Sequence, residues 1–389
     1  MPVNDVATVK VTIENFDFSS TVESVNVEDH DRAIDRANVV FDDPQARLGQ
    51  LPREQGVMQV SMGWNSENTL LFEGIVIRVK ADASGSARQR VTVTSYDLGY
   101  RMKQGLKDET GQRKVKSFSL DSGTWKDAIL KVVGQYKNDG ILVDAKNIIL
   151  DPNPVLGPLN KAYSLANESD WDFLQRKAVD FNARAFVELN NDKPQFYFVT
   201  EKSLLKGDPM GVLFYCVGGG GRQMTAFEYQ RIGSGASSSS SATVIDPKTG
   251  DPITKTADPP APEAPLEVDP TADAELAKAA DILGKAAGKP EESRPALNIV
   301  GGVSDPNKYA TEVKADPTRI LGFYGKGTVI GTVKLRAKGK VTIKGIAPWA
   351  EGDWYVHQVN HIHQRINVMD KKKQIKNRST YETKISVTR

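Results

Sequence analysis

The sequence predicts a mainly β protein, with two β-barrel domains flanking a small α+β domain. Two patterns carry this expectation. Toward both ends, apolar and polar residues alternate with a period of two, as half-buried antiparallel strands require. In the middle, apolar residues recur at spacings of three and four, the stripe of an amphipathic helix. A chain of 389 residues also exceeds what one core serves, so roughly two to four domains are expected.

Residues 1–115 read as a first β-barrel domain. Its inward positions are Val9, Val11 and Ile13, then Val25 and Val27, then Ala37, Val39 and Phe41. Met58, Val60 and Met62 follow, then Ile75, Ile77 and Val79, then Val91 and Val93. Turn-rich separators fall at Asp29–Asp31, Asp42–Pro44, Asn65–Asn68 and Ala83–Ser86. This core is expected to pack without help from the following segment.

Residues 116–232 read as the α+β domain. One helix is predicted over Thr124–Tyr136, with Trp125, Ala128, Ile129, Val132, Val133 and Tyr136 on its buried stripe. Another is predicted to open at Ser169, an N-cap with Asp172 at N3. Its stripe is Trp171, Phe173, Leu174, Ala178, Val179 and Phe181. Two strands follow, one with Ala185, Val187 and Leu189, the other with Phe196, Phe198 and Thr200. They are joined by a turn at Asn190–Asp192.

Residues 233–297, rich in Ser, Pro and Ala, have few large apolar side chains and read as a flexible linker or inserted arm. Residues 298–389 read as a second β-barrel domain. In it Val333 and Leu335 alternate with Lys334 and Arg336, and Val341 and Ile343 with Thr342 and Lys344. Gly352-Asp353 forms a turn leading into Trp354, Tyr355 and Val356. Tyr381, Thr383, Ile385 and Val387 share a face near the end.

Composition narrows the function. The net charge of +2 offers no general attraction to nucleic acid or to an anionic membrane. With one cysteine, Cys216, neither an intramolecular disulfide nor a thiolate cluster can form. Met1–Asp5 lacks the pattern of a secretory signal, and no apolar run approaches the ~20 residues of a membrane span. The expectation is folding in the cytosol.

Catalytic patterns are weak. There is no Gly-x-Ser-x-Gly elbow, and Cys216 lies in an apolar strand-like run. The four glycines of Gly218–Gly221 lack the Lys-Ser/Thr of a phosphate-binding loop. His357, His361 and His363 share one strand face, and His361 with His363 is chelate-like. The pair is a weak metal candidate; histidines packed on or under a strand face are the preferred reading. Lys371, Lys372 and Lys373, with Lys376 and Arg378, form a basic hairpin tip, read as a solvated turn or a contact with an acidic partner. No enzyme activity and no cofactor are expected.

The residues also carry a resemblance. Val25–Arg32, Ala37–Asp42 and Phe72–Val79 resemble the first barrel of the late-control-D family, the baseplate hub proteins of contractile phage tails and related injection machines. Asn167–Arg176 is similar to that family's Ser-Asp-x-x-Phe-Leu-x-Arg helix. Gly352–Val356, Val359–His361 and Tyr381–Ile385 resemble its closing barrel. The chain departs from the family at Asn182-Ala183-Arg184, where Gly-Ala is usual.

The resemblance implies a homotrimer that joins a sixfold tail tube to a threefold central spike, as a symmetry adaptor made from repeated surfaces. Implied partners are the tail tube or a tube-initiating ring protein, the spike, the end of the tape-measure protein and the baseplate wedge. The implied location is the tail baseplate of a virion, assembled in the host cytoplasm. A bacteriocin or extracellular injection system hub, and a cell-wall-hydrolysing or sugar-binding tail component, stand as alternatives. Interface candidates are Trp354, His361, Tyr381 and the lysines 371–373.

Overall fold

The computed structural model describes residues 6–43, 48, 52–83, 89–105, 117–118, 123–151, 153–155, 163–164, 168–215, 223–231, 240–245, 252–257, 297–299, 322–369 and 375–389. The first strands are β1 (Ala7–Ile13), β2 (Phe16–Asp17), β3 (Val22–His30), β4 (Arg36–Asp43), β5 (Val57–Trp64), β6 (Glu67–Asp82) and β7 (Gln89–Asp97). The middle holds α1 (Gly99–Gln104), β8 (Ser117–Phe118), α2 (Trp125–Val133), β9 (Leu142–Ile149), β10 (Tyr163–Ser164), α3 (Asp170–Asp180), β11 (Ala183–Asn190), β12 (Lys193–Thr200) and α4 (Glu201–Lys206). Then come β13 (Val212–Phe214), β14 (Met224–Arg231), β15 (Ser240–Ile245), β16 (Pro252–Ala257) and β17 (Leu297–Ile299). The last are β18 (Phe323–Ile330), β19 (Gly339–Lys344), β20 (Gly352–Met369) and β21 (Ile375–Thr388). No described helix is long and apolar enough to cross a membrane.

The chain divides into two compact units. One comprises Met1–Ser203, Thr328–Lys338 and His357–Ile385; the other comprises Leu204–Gly327, Gly339–Val356 and Ser386–Arg389. The long strands β20 and β21 therefore supply residues to both.

In the first unit the strand order runs β21-β20-β3-β4-β7-β6-β5-β1-β2. The inward residues expected in β1, β3, β4, β5 and β7 are all buried. Two-residue turns close three hairpins, each with both residues at positive φ: Glu14-Asn15, Asn65-Ser66 and Asn191-Asp192. Such turns match the right-handed strand twist, and asparagine tolerates their left-handed backbone. In β6 the expected alternation of Ile75, Ile77 and Val79 breaks. A register shift between Val76 and Arg78 buries Ile75 and Val76 together and leaves Ile77 and Val79 half-buried.

Among the described residues the protein is mainly β, as expected, and its sheets do not close into the two barrels predicted. β20 pairs antiparallel with β3 from Gln358↔His30 to Gln364↔Ser24. Tyr381 of β21 is buried in the same apolar core as Val11, Val39, Phe41 and Val60. That core is thus completed by a residue more than three hundred positions downstream, and none of its described members comes from the following segment 116–232.

The segment 331–338 departs from expectation too. Val333–Arg336 was predicted as a strand, but 331–338 has no strand and Lys338 stands at φ 68°. Of its charged side chains Lys334 stays exposed, but Arg336 is half-buried and Lys338 buried, which breaks the polar-out alternation. At its head, Gly331 packs flat against Tyr381; a Cβ there would lie 2.2 Å from the ring Cγ. The Gly331 N–H donates to the Tyr381 carbonyl, and its own carbonyl accepts from Trp64 Nε1 at 2.8 Å.

The middle elements of this unit share a second core. Thr124 caps α2 reciprocally with Asp127, and the whole predicted stripe is buried, Tyr136 sitting on a following 3₁₀ turn. Ser169 caps α3 by accepting from the Asp172 N–H at 3.0 Å. Val179, expected on that buried stripe, is 71% exposed, because the last turn of α3 carries it to the solvent side. β11 and β12 form the expected hairpin, and β9 joins β12 in parallel. Asn182 takes φ 47°, a conformation open to asparagine.

In the second unit β13 pairs in parallel with β19, and β19 pairs antiparallel with the first residues of β20. Trp354 is fully buried between Phe323 and the edge of Phe227. Within the stretch 233–297, β15, β16 and β17 form a three-stranded sheet of their own. The β-branched content of Thr243-Val244-Ile245 and Ile253-Thr254 explains the pairing. The remainder of 233–297 lies outside the described residues, as do residues 300–321.

Gly331→Ala is expected to lower stability by about 1–3 kcal/mol through overpacking against Tyr381. Gly134, with φ −55° and nothing within 4 Å of a built Cβ, serves as the control. Gly134→Ala should raise stability by about 0.4–1 kcal/mol. Urea unfolding of both variants measures the contrast.

Candidate functional site

The most heavily charged buried region of the first unit lies where five chain segments meet. Asp29 ends β3, Asp35 precedes β4, Asp97 ends β7, Glu188 sits on β11, and Arg336 and Lys338 come from the irregular segment 331–338. The Lys338 ammonium stands 2.6 Å from Asp29, 3.2 Å from Asp35 and 3.3 Å from Glu188. It also lies 5.0 Å above the Phe186 ring. Arg336 pairs with Glu188, approaches Asp29 at 3.8 Å and donates to the Leu71 carbonyl at 2.8 Å. The Ala337 N–H donates to Asp29 at 3.0 Å. Asp97 accepts from the Asp35 N–H at 2.7 Å and the Gly99 N–H at 2.6 Å.

Burial raises the pKa of a carboxyl and nearby cations lower it, and the balance differs between these acids. Burial alone would raise Asp29, yet Lys338 and Arg336 outweigh it and hold the carboxyl below its ordinary value. For Asp35, burial prevails over Lys338, and the neighbouring acids Asp29, Asp97 and Glu188 push the same way, leaving it well raised. Asp97 is pushed up to about 7, chiefly by burial, against the two N–H bonds it accepts. Lys338 is disfavoured as a cation by burial, but Asp29, Asp35 and Glu188 reverse this and raise it well above its ordinary value.

A second ionic group lies alongside. Arg184 pairs with Glu201 and, at 3.0 Å, with Asp31, all three being buried. Arg32 approaches Glu201 at 3.8 Å from the solvent side. Together the two groups tie β3, the β3–β4 turn, β11, α4 and the segment 331–338 of the first unit into one electrostatic framework.

Of the residues singled out in the sequence, His361 and His363 are buried on β20, with His357 half-buried on the same face. His361 has both ring nitrogens engaged: Nδ1 lies 2.9 Å from the Tyr381 hydroxyl and Nε2 3.0 Å from the Leu335 carbonyl. That leaves it no lone pair for a metal, so the chelate-like pair is not assembled. Asp29, Asp35 and Glu188 bring carboxylate oxygens within 4.8 Å of one another, a spacing that suits a cation. The Lys338 ammonium is that cation. Trp354 donates from Nε1 to the Ala350 carbonyl at 3.0 Å in the second unit. Trp354, His361 and Tyr381 are core residues, at most 3% exposed. Lys371, Lys372, Lys373, Cys216 and Gly218–Gly221 lie outside the described residues.

The charge cluster itself has no motif. Its members are scattered from position 29 to position 338, and Arg336 fits an outward-facing strand pattern as read from sequence. The one local signal was Asp29–Asp31, read as a turn.

Lys338→Met leaves Asp29 buried with less compensation and is expected to cost about 3–5 kcal/mol in chemical denaturation, the range for breaking a buried pair. Burial holds His361 at about 3 and His363 at about 4, both below the ordinary imidazole value. Their neutral folded forms contribute stability above about pH 6.5, and it is lost as pH falls toward those values. Both rings are therefore expected to remain neutral at pH 5.5 by NMR titration, while the melting temperature drops below pH 6.5.

No family model matches the chain, and no curated protein matches its sequence. Solved structures do match its fold. A tail protein from Neisseria meningitidis MC58 aligns at TM-score 0.60 and 12% identity, over 99% of this chain and 97% of its own. The 43 kDa tail protein of prophage MuSo2 from Shewanella oneidensis aligns at TM-score 0.60 and 11% identity, over 98% of each chain. An E. coli component of the type VI secretion system, described as similar to T4 bacteriophage tail proteins, aligns at TM-score 0.53 and 9% identity. There the match covers 97% of this chain and 76% of the other. At these identities the likeness is one of fold: the chain has the fold of phage tail and type VI secretion proteins over nearly its whole length.

Proposed function

We propose that the protein is the structural hub of a contractile tail baseplate, a homotrimer that adapts a sixfold tail tube to a threefold central spike. The observation that carries this reading is the end-to-end match to two tail proteins of nearly the same length, each covered almost completely. A shared single domain would match only part of either chain. The type VI secretion likeness supports a part of a tail or injection machine, because that component is itself described as similar to T4 tail proteins.

The physical features of the chain suit a load-bearing part. Its described residues are mainly strand, long strands supply both units, and buried ion pairs lock an irregular segment in place. We read the role as structural rather than enzymatic. The tube or tube-initiating ring and the spike are the proposed partners, with the lysine-rich tip at 371–373 as an interface element. Homologous trimers of this kind need repeated surfaces around one axis.

Size-exclusion chromatography with light scattering tests the reading. The expected result is a mass of three chains, and co-purification with the spike protein encoded alongside. A stable monomer that fails to bind spike would overturn it.

A further inference from the structure

The contact between Lys338 and Asp29 sets an amine and a carboxyl against each other with little water around them. Nζ stands 2.6 Å from Asp29 Oδ1, and both side chains are 2% exposed. The Phe186 ring covers Nζ at 5.0 Å and is itself buried. The two oxygens of Asp29 are held differently. Oδ2 accepts the Ala337 N–H at 3.0 Å and faces Arg336 Nε at 3.8 Å, whereas Oδ1 meets no donor beyond the ammonium. A second acid, Asp35, places Oδ2 3.2 Å from the same Nζ, and a carboxyl oxygen of Asp35 lies within 4.8 Å of one of Asp29. Reacting groups held in contact at fixed orientation gain the rate advantage of an intramolecular reaction.

We propose that this is a modification site, at which Lys338 and Asp29 condense into an intramolecular amide that ties the segment 331–338 covalently to β3. The new bond joins Nζ to Cγ of Asp29, and the bond from Cγ to Oδ1 breaks. Two of the three ammonium protons leave on Oδ1 as water, and the third stays on the amide nitrogen. One ammonium and one carboxylate thus become one amide and one water. No oxidant, reductant or activating co-reactant is consumed.

At rest Asp29, Asp35 and Glu188 hold Lys338 as an ammonium, so the nucleophile forms only as a proton leaves it. Asp35 stands where it can take that proton and pass it to Oδ1, as a general base and then a general acid. Glu188 is less suited, because Arg336 already occupies it. The Ala337 N–H and Arg336 meet the charge that develops on Oδ2 in the tetrahedral intermediate. After the reaction Oδ2 is the amide carbonyl oxygen and keeps the Ala337 hydrogen bond. Burial favours the product, because two charges taken out of water are replaced by a neutral amide. The Phe186 cover also keeps out the water that would hydrolyse it.

Mass spectrometry of the purified full-length protein tests this. The intact mass should fall short of the mass calculated from the sequence by one water. Trypsin should release a branched product joining residues 11–32, which carry Asp29, to residues 337–340, because acylation of Lys338 blocks cleavage after it. Asp35 lies on the separate fragment 33–36, so the acceptor is identified directly. Asp29→Ala and Lys338→Arg should show the full calculated mass. Asp35→Asn, which keeps both reacting residues, should form the bond roughly a hundredfold more slowly after refolding. Wild-type protein at the full calculated mass, water loss confined to a linear peptide, or a branch at Asp35 or Glu188 overturns the proposal. Those three outcomes are read on the wild type and do not depend on a variant folding.

Discussion

Lys338 places a primary ammonium, nearly excluded from solvent, among the carboxylates of Asp29, Asp35 and Glu188. Each of those acids belongs to a different part of the first unit's chain, so one cation satisfies three segments at once. Ion pairs of this kind add little when exposed, about 0–1 kcal/mol, but a buried charge left without its partner is far more costly. The arrangement therefore acts mainly as a constraint on folding. β3, β11 and the segment 331–338 must all arrive, because any one missing leaves buried charge uncompensated.

The same segment shows how packing and electrostatics cooperate. Gly331 lets the Tyr381 ring lie against the backbone, and Trp64 bonds to the Gly331 carbonyl. Five residues on, Arg336 and Lys338 enter the charged cluster. Tyr381 in turn meets His361, whose other nitrogen faces the Leu335 carbonyl. An irregular stretch without a strand ladder is thus held by one aromatic stack, one imidazole and two cations. Such a part suits a protein whose task is to hold a shape under load.

Much of this was legible in the sequence, and the failures have definite causes. The period-two residues of β1, β3, β4 and β7, the helix stripe from Trp125 to Tyr136 and the Ser169 cap all follow from local rules. Their determinants lie within a few residues of one another. The β6 register failed because a bulge at Ile77 flips the alternation, and bulges are set by the partner strand. Arg336 looked outward-facing and Lys338 carried no signal, because their partners lie about 150 to 300 positions away. Those partners were individually unremarkable acids. The sharing of β20 between two units was equally hidden, since a long alternating run looks the same whichever sheet it joins. For the candidate site, the histidines were visible and proved to be core, whereas the acids and cations that matter had no shared motif.

The proposed role rests on a fold that matches tail proteins from end to end. The most direct measurement is a cryo-electron microscopy reconstruction of a purified contractile particle containing this chain, refined without imposed symmetry. The account predicts three copies around the particle axis, between the tube above and the spike below. Six peripheral copies, or no copy on the axis, would contradict it.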